Sequence, residues 1–318
     1  MSDSVHMLIP FASSTAEGCV QALRGLALPQ LEKLLARMVL VRTDAGDDQS
    51  LSMPHERVLA RECGLPGDDG LIPWAAWQVR QAGHDTVDAA WARVTPCHWR
   101  VGTDHVLMSH PQELHLDAGD SQSLLAAMEP YFEQDGITLE YEAPTLWLAH
   151  GDAFRDLATA SLDRVVGQRI DPWMPRTVQA RPLRRLQQEM QMLLYTHQVN
   201  EERVRGGVLP VNSFWVSGTG ALPAVRAFEA PAGLQVIHYL RDAGLLGDWR
   251  GWSTAWQQAD SKECARLSSV LDDGGTVTLT LCGERNAQTW SSTGGGGLTR
   301  RFQSLFARTK AAAVLEAL

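Results

Sequence analysis

Lysine is scarce in this sequence. Only three of the 28 basic residues are lysines, namely Lys33, Lys262 and Lys310, and the others are arginines. Arginine suits paired contacts with carboxylates and phosphates, although a GC-rich coding bias produces the same composition. The formal net charge is −9, so a surface that binds nucleic acid or another polyanion is not expected.

Long apolar runs and paired cysteines are also missing. Runs such as HMLIPFA and AAAVLEAL are too short to cross a bilayer. The first residues include Asp3 but no basic stretch of the kind that opens a signal peptide. The five cysteines are dispersed, and none lies in a C-x-x-C pair. We therefore expect reduced thiols, a cytoplasmic location and no membrane partner.

The motifs of several common enzyme classes are absent. The chain has no G-x-G-x-x-G, Walker, H-E-x-x-H or G-x-S-x-G motif. Ser13 and Ser14 follow a predicted strand and could supply a nucleophile, but no general base can be assigned to them. Cys97 and His98 are adjacent, and neighbours on a strand point to opposite faces, so they cannot share one metal ion. We expect no metal site and no cofactor, and keep His98 as a secondary candidate for ligand binding.

The chain is long enough for two domains, with 318 residues of which 44% are hydrophobic. An apolar strand over His6–Ala12 leads into a helix over Thr15–Leu26, which is typical of a βα unit. Near the other end, TVTLTLC at Thr276–Cys282 alternates β-branched residues with leucine and predicts a buried strand. These features predict an α/β fold with a mostly parallel sheet, whose core domain comprises residues 1–94 and 225–318.

The residue pattern changes near Thr95, and we predict an inserted α+β subdomain over residues 95–224. An amphipathic helix over Ser121–Phe132 has two strands on each side of it in the sequence. The order ββαββ predicts a small sheet with the helix on one face. The four predicted strands are Cys97–Val101, His105–Ser109, Ile137–Tyr141 and Thr145–Ala149.

Other segments are predicted to be helical. Leu183–Tyr195 has leucine and methionine at helical spacing. Helices are also predicted around Trp74, Trp77 and Trp91, and over residues 235–258. Near the end of the chain, a glycine turn at 294–297 and a closing helix over 298–307 are predicted.

Polar residues gather in the stretch that follows the helix predicted over Leu183–Tyr195. Gly218 and Gly220 allow tight backbone conformations. Asn200 and Arg203 offer hydrogen-bond donors suited to an anionic small molecule. The alternative is structural, since Asn and His also cap helices and G-x-G is common in turns. The candidate ligand-binding residues are His197, Asn200, Arg203, Asn212, Ser213, Trp215, Gly218 and Gly220.

Three stretches carry a resemblance to a known family. They are PCH at Pro96–His98, EMQMLLYTHQVN at Glu189–Asn200 and PVNSFWVSGTGALP at Pro210–Pro223. They resemble the RpfE-type regulatory protein family of proteobacteria, whose members are often described as phosphoglycerate mutase-like. The resemblance implies a regulatory role. Four positions depart from the usual pattern of that family, namely Thr95, Cys97, Ser217 and Thr219.

A more distant resemblance covers residues 95 to 225. Eight positions carry it: His197, Val199, Asn200, Arg203, Asn212, Gly218, Gly220 and Pro223. They are similar to the middle part of archaeal-type cofactor-independent phosphoglycerate mutases. This resemblance implies an alkaline-phosphatase-like α/β fold with an inserted subdomain.

The enzymes of that family also need a two-metal site and an attacking serine. Their ligands include an Asp-Gly directly after the first strand and a late Asp-x-x-x-His cluster. This chain has IPFASS after the first predicted strand, GERNAQTW after Thr276–Cys282, and no histidine beyond His238. The resemblance therefore implies a phosphomutase-like fold that lacks the metal site, and enzyme activity stays an open question.

Three hypotheses about function follow from the sequence. The first is a cytoplasmic regulatory protein that binds an anion or a phosphate ester. The second is an active metal-dependent phosphomutase or phosphohydrolase whose ligands are not recognisable. The third is a scaffold that binds a protein partner through exposed tryptophans.

Overall fold

The computed structural model describes residues 4–87, 89–223, 228–293 and 310–318. The chain divides into two compact units. The first comprises Met1–Asp48, Met53–Cys63 and Ala230–Leu318, and the second comprises Gln49–Ser52 and Gly64–Glu229. The division predicted from the sequence, 1–94 with 225–318 against 95–224, stays a prediction. The turn predicted at 294–297 and the helix predicted over 298–307 lie outside the described residues.

The described strands belong to three sheets. In chain order they are β1 (Ser4–Ile9), β2 (Val39–Asp44), β3 (Ala90–Cys97), β4 (Trp99–Val101), β5 (Val106–Met108), β6 (Thr138–Ala143), β7 (Leu146–His150), β8 (Ser213–Ala221), β9 (Leu234–Val236), β10 (Thr276–Cys282) and β11 (Ala287–Ser291).

The described residues also form α-helices. In chain order they are α1 (Glu17–Gly25), α2 (Pro29–Leu35), α3 (Pro54–Glu62), α4 (Trp74–Gln81), α5 (Ala118–Gln134), α6 (Leu162–Val165), α7 (Arg181–Tyr195), α8 (Gln198–Arg205), α9 (Arg241–Leu245), α10 (Trp249–Ala259), α11 (Ala265–Asp272) and α12 (Ala311–Glu316). None of the described helices is long and apolar enough to cross a membrane.

The first unit is built on a five-stranded sheet in the order β2-β11-β10-β1-β9. Three neighbouring strands are parallel, because β1 pairs in the same direction with both β10 and β9. The other two strands, β11 and β2, are antiparallel to their neighbours. The predicted α/β class is confirmed, but the sheet is mixed, and only the three neighbouring strands β10, β1 and β9 are parallel. The segment 235–258 is helical only in α9 and α10, and its first residues form the edge strand β9.

The central strands are buried because their side chains are apolar on the face that meets the helices. Met7 and Ile9 of β1 and Leu279 and Leu281 of β10 are inaccessible to solvent and lie in one core cluster. Trp256 of α10 belongs to the same cluster. The strands β1 and β10 are therefore packed tightly in the core. The loops at their carboxyl ends start from fixed positions.

The second unit is built on a four-stranded antiparallel sheet in the order β6-β7-β3-β8. Helices α5 and α7 cover one face, where Phe132 and Leu186 are buried against Phe214 of β8. Of the four strands predicted after Thr95, the first two correspond to β4 and β5, which pair in a separate two-stranded sheet, and the last two correspond to β6 and β7. The prediction that all four form one small sheet is therefore wrong. The helix predicted around Trp91 is wrong, because Trp91 lies within β3.

Candidate functional site

The candidate residues at the end of α7 hold the next helix in place. His197 begins α8, and its Nδ1 accepts a hydrogen bond from the backbone N–H of Val199 at 3.3 Å. The buried Asn200 side chain donates to the carbonyls of Leu194 and Val211 at 2.8 and 2.6 Å. Its Oδ1 accepts from the N–H of Val211 at 2.9 Å. Asn200 therefore links the end of α7 to the segment that enters β8.

Arg203 is buried, and each nitrogen of its guanidinium donates a hydrogen bond. Nε donates to the carbonyl of Leu209 at 3.1 Å, and Nη2 donates to the carbonyl of Leu114. Nη1 donates to Asp120 Oδ2 at 2.9 Å, so the positive charge is paired with a carboxylate near the start of α5. An anionic ligand would need these guanidinium N–H donors, but each nitrogen already donates to an acceptor of the protein.

Asn212 and His98 join the ends of neighbouring strands. The Asn212 side chain accepts from the N–H of Trp99 at 2.7 Å and donates to its carbonyl at 3.0 Å. These two hydrogen bonds resemble the backbone hydrogen bonds between paired strands, and they connect β4 to the segment before β8. His98 Nδ1 lies 2.8 Å from the carbonyl oxygen of Pro210, so this nitrogen carries the proton in that contact.

The remaining candidates lie on β8. Ser213 is fully buried, and its Oγ has no hydrogen-bond partner among the described residues. Trp215 Nε1 donates to the carbonyl of Ala160 at 3.0 Å. Gly218 and Gly220 have φ values of +62° and +134°. Gly218 is about 20 Å along the strand from Asn212, at about 3.3 Å per residue.

The candidate residues therefore form two groups. His197, Asn200 and Arg203 connect α7, α8 and α5, whereas the two glycines lie against the start of α4. The hydrogen bonds match the alternative interpretation of the sequence, in which these polar groups have a structural role and join loops and helices. Binding of an anion by this set stays a prediction.

The carboxyl ends of the parallel strands are the second place to look for a site, because ligands of α/β sheets commonly bind there. The loop after β1 contains Phe11 with φ of +56°, a conformation that side chains other than glycine rarely adopt. The indole nitrogens of Trp252 and Trp256 donate to the carbonyls of Phe11 and Ala12 at 2.8 and 3.1 Å. Two tryptophans of α10 therefore hold a strained loop at this edge.

Glu284, two residues after β10, is hydrogen-bonded to the segment just before α1. Its Oε2 accepts hydrogen bonds from Ser14 Oγ at 3.1 Å, from the N–H of Thr15 at 2.9 Å and from Thr15 Oγ1 at 2.7 Å. A carboxylate at the start of a helix is stabilised by the helix dipole. An external anion would seek the same backbone N–H and the same dipole.

The residues at this edge do not fit a two-metal centre. Among the described residues, no group of three or more His, Cys, Asp or Glu side chains is placed to hold a metal ion. The sequence adds none later in the chain, since it has no such residue between Glu284 and Glu316. Ser13 and Ser14 provide hydroxyls, and Glu284 provides one carboxylate that already accepts hydrogen bonds from Ser14 and Thr15.

Sequence reasoning missed Glu284 and the two tryptophans that hold the loop. Glu284 follows a strand that the sequence does predict, and a charged residue just past the carboxyl end of a buried strand is a usable signal. Nothing local marks Trp252 or Trp256 as anchors, because their acceptors in the loop after β1 lie more than 200 positions away.

Comparison with known proteins gives a distant similarity. No protein-family model matches the chain. Over 132 residues the chain is 26% identical to the 2,3-bisphosphoglycerate-independent phosphoglycerate mutase of Methanothrix thermoacetophila, a match that covers 39% of this chain and 34% of that enzyme. The chain thus spans about a third of the length of the curated relative that it matches.

Two solved structures are also similar. A cofactor-independent phosphoglycerate mutase from Thermoplasma acidophilum aligns with 99% of this chain and 98% of its own, at 15% identity and a TM-score of 0.37. A protein from Pyrococcus horikoshii aligns with 94% of this chain and 89% of its own, at 11% identity and a TM-score of 0.45. The chain therefore has a distant resemblance to cofactor-independent phosphoglycerate mutase, which rests on the sequence match.

Proposed function

We propose that this chain, a distant relative of cofactor-independent phosphoglycerate mutase, is a regulatory protein that binds a small molecule and does not transfer phosphoryl groups through a metal site. The observation that carries the proposal is the position of Glu284. Its carboxylate accepts three hydrogen bonds at the start of α1, at the carboxyl edge of the parallel strands. The anionic group at this edge is therefore the Glu284 carboxylate of the chain itself.

The charge of Glu284 opposes phosphoryl transfer at this place. A phosphoryl group at the start of α1 would meet a carboxylate of the same sign, and like charges at close range repel. Metal ions could offset that repulsion in a mutase. The donor set described above does not assemble a site for them, so the residues at this edge argue against phosphoryl transfer through a metal site.

The regulatory role draws its support from the sequence stretches that resemble RpfE-type proteins. These are residues 96–98, 189–200 and 210–223, which contain the end of β3, the second half of α7 with the start of α8, and β8. A regulatory role also accords with the proposed cytoplasmic location, where small metabolites are the available signals.

Metal content and mutase activity test the proposal directly. The purified full chain, expressed with manganese and zinc in the medium, is expected to carry far less than one metal ion per chain by elemental analysis. It is also expected not to interconvert 2- and 3-phosphoglycerate when manganese is added. Stoichiometric metal together with turnover that a chelator abolishes would overturn the proposal.

Replacement of Glu284 tests whether its carboxylate occupies the position of an anion before α1. Glu284→Ala removes the acceptor of the Thr15 N–H and of two hydroxyls, and we expect a loss of about 0.5–2 kcal/mol in the free energy of unfolding. Inorganic phosphate at constant ionic strength should then raise the Tm of this variant more than that of the wild type, because an anion can enter the vacated position. Glu316→Ala, at an exposed carboxylate, is the control. Equal stabilisation of all three proteins by phosphate would contradict the assignment.

A further inference from the structure

An arginine-rich segment of the second unit leads into the start of α7. Between Asp163 and Glu189 the sequence has six arginines and one acidic residue, Asp171. The whole chain has the opposite balance, with 37 acidic and 28 basic residues. Positive charge is therefore concentrated locally in a protein whose net charge is negative. The six arginines are Arg164, Arg169, Arg176, Arg181, Arg184 and Arg185.

Two of these arginines hold the backbone of the segment in place. Arg164 is 5% exposed, and its guanidinium lies over the ring of Trp173, 5.5 Å from the centroid. Arg184 Nη1 donates to the carbonyls of Pro175 and Thr177 at 2.7 and 3.4 Å. These hydrogen bonds fold the loop that precedes α7 back onto the first turn of the helix.

The buried side of the same segment fixes which residues are presented to solvent. Ala180 and Leu183 are buried in the core cluster of the second unit. Arg176 and Arg181 are exposed, and Val178 between them is 71% exposed. We call the set of Arg176, Val178, Arg181 and Arg184 the 176–184 surface.

The three arginines of the 176–184 surface have no carboxylate partner among the described residues. Arg176 Nη2 donates to the backbone carbonyl of Asp171 at 3.2 Å, and the acceptors of Arg184 are also carbonyls. The Arg181 side chain makes no hydrogen bond or ion pair within the described part of the chain. By contrast, Arg185 is paired with two carboxylates of its own unit, those of Asp135 and Glu189. The positive charge of the surface is therefore open to an external partner.

The composition of the surface favours a protein partner. Arginine is enriched in protein–protein interfaces and makes paired contacts with carboxylates. Val178 adds an exposed apolar side chain between two of the arginines, and an apolar side chain of a partner can pack on it. A phosphate backbone offers no such group.

The charge of the rest of the protein limits the partner to a short acidic segment. The Debye length is about 8 Å at physiological ionic strength, so charges beyond that distance are largely screened. A short segment on the surface therefore experiences mainly the local arginines. A long polyanion such as DNA would extend past them and meet a protein whose net charge is −9.

We propose that the 176–184 surface binds an acidic segment of a partner protein. Carboxylates of the segment pair with Arg176 and Arg181, and an apolar side chain of the segment packs on Val178. This interaction goes beyond the small-molecule binding proposed above, and it uses none of the residues at the edge around Glu284.

The experiment measures the binding of labelled peptides to the full chain by fluorescence anisotropy. The acidic peptide EELEDLEE is compared with its neutral match QQLQNLQQ and with EEAEDAEE, which lacks the leucines. We expect saturable binding of the first peptide, no measurable binding of the neutral peptide, and weaker binding of the peptide without leucine. Raising the ionic strength from about 0.1 M to about 1 M shortens the Debye length to about 3 Å and should weaken the binding of the acidic peptide.

Variants locate the binding on the chain. Arg176→Gln with Arg181→Gln should weaken the binding of EELEDLEE about tenfold or more, because hydrogen bonds between charged groups are the stronger kind. Arg24→Gln with Arg250→Gln is the matched control, since both arginines are exposed in the first unit and the net charge changes equally. A Tm close to that of the wild type shows that each variant is folded.

A substitution of the valine separates protein recognition from simple charge attraction. Val178→Ser should weaken the binding of EELEDLEE and leave that of EEAEDAEE unchanged, because only the first peptide has an apolar side chain for this contact.

Three results would overturn the inference. Equal binding of the acidic and neutral peptides would mean that the arginines do not recognise carboxylates. An equal loss of binding in the two double variants would mean that the interaction is not located on this surface. Tighter binding of a DNA duplex than of EELEDLEE, lost in Arg176→Gln with Arg181→Gln, would assign the surface to a nucleic acid instead.

Discussion

The Arg203 guanidinium is buried, and it is held by two carbonyl oxygens and the Asp120 carboxylate. A buried charge is tolerated only when it is paired and hydrogen-bonded. The carbonyl acceptors, Leu114 and Leu209, lie in the segments that precede α5 and β8. At the scale of the residue, the strongest candidate for anion recognition is therefore a group that fastens segments of the second unit to one another.

Arg203→Ala should lower the free energy of unfolding by about 1–3 kcal/mol, because Asp120 and two carbonyls lose their donor. Arg205→Ala is the matched control, since Arg205 is exposed at the end of the same helix, and its effect should stay within about 0.5 kcal/mol. Urea denaturation of both variants gives the comparison. An Arg203→Ala protein as stable as the wild type would favour the ligand-binding alternative.

Strand β8 and helix α4 approach closely because two residues of the strand have no side chain. A Cβ built on Gly218 would lie 2.9 Å from the Cβ of Trp74, and one built on Gly220 would lie 3.1 Å from the Cβ of Pro73. Both glycines also have positive φ. At the scale of the element, the G-x-G pattern therefore serves close packing of a helix start on a strand.

Gly218→Ala should destabilise the protein by about 1–3 kcal/mol, since an alanine there must adopt a left-handed conformation and displace Trp74. Gly25→Ala is the control, because Gly25 ends α1 and a Cβ built on it meets nothing within 4 Å. That change should be neutral or stabilising by up to about 1 kcal/mol. Thermal melts of the two variants suffice, and equal Tm values would refute the packing argument.

The strand around Trp91 shows where local patterns fail. AWARVTPC in β3 is buried at all positions but one, because both faces of the strand are covered. A strand covered on both faces lacks polar alternation and cannot be told from a buried helix by its period. By contrast, TVTLTLC in β10 was predicted with its observed bounds, since β-branched residues alternate with leucine.

Five buried thiols are distributed over both units of the molecule. Cys97 lies in the second unit, and the other four lie in the first. Burial raises the pKa of the Cys19 thiol to about 11 and that of Cys264 to about 12. Burial also raises the pKa of Cys63, Cys97 and Cys282. At the scale of the whole molecule, the thiols therefore report on the intactness of each core.

Thiol reagents should label the folded protein slowly and the unfolded protein fully. At pH 8 an unfolded thiol with a pKa of about 8.5 is partly ionised, whereas the raised pKa values of Cys19 and Cys264 leave at least about a hundredfold less thiolate in the folded protein. Raising the pH from 8 to 9 should increase the labelling rate of folded Cys19 and Cys264 about tenfold, because the thiolate fraction of each rises about tenfold, and should still leave them far slower than the unfolded thiols. Mass spectrometry of each cysteine peptide measures the fraction of that cysteine that has been labelled. Rapid labelling of Cys97 alone would mean that the second unit opens separately.

Features that depend on neighbours along the chain can be predicted from the sequence. The α7 helix, the β10 strand and the lack of any histidine after His238 are of this kind. Which groups meet in space can be seen only in the folded chain. Arg203 and Asp120 are 83 positions apart, and Thr15 and Glu284 are 269 apart. Periodicity records which face of an element is buried, but it carries no information about which distant element covers that face. The role of a polar side chain depends on that partner.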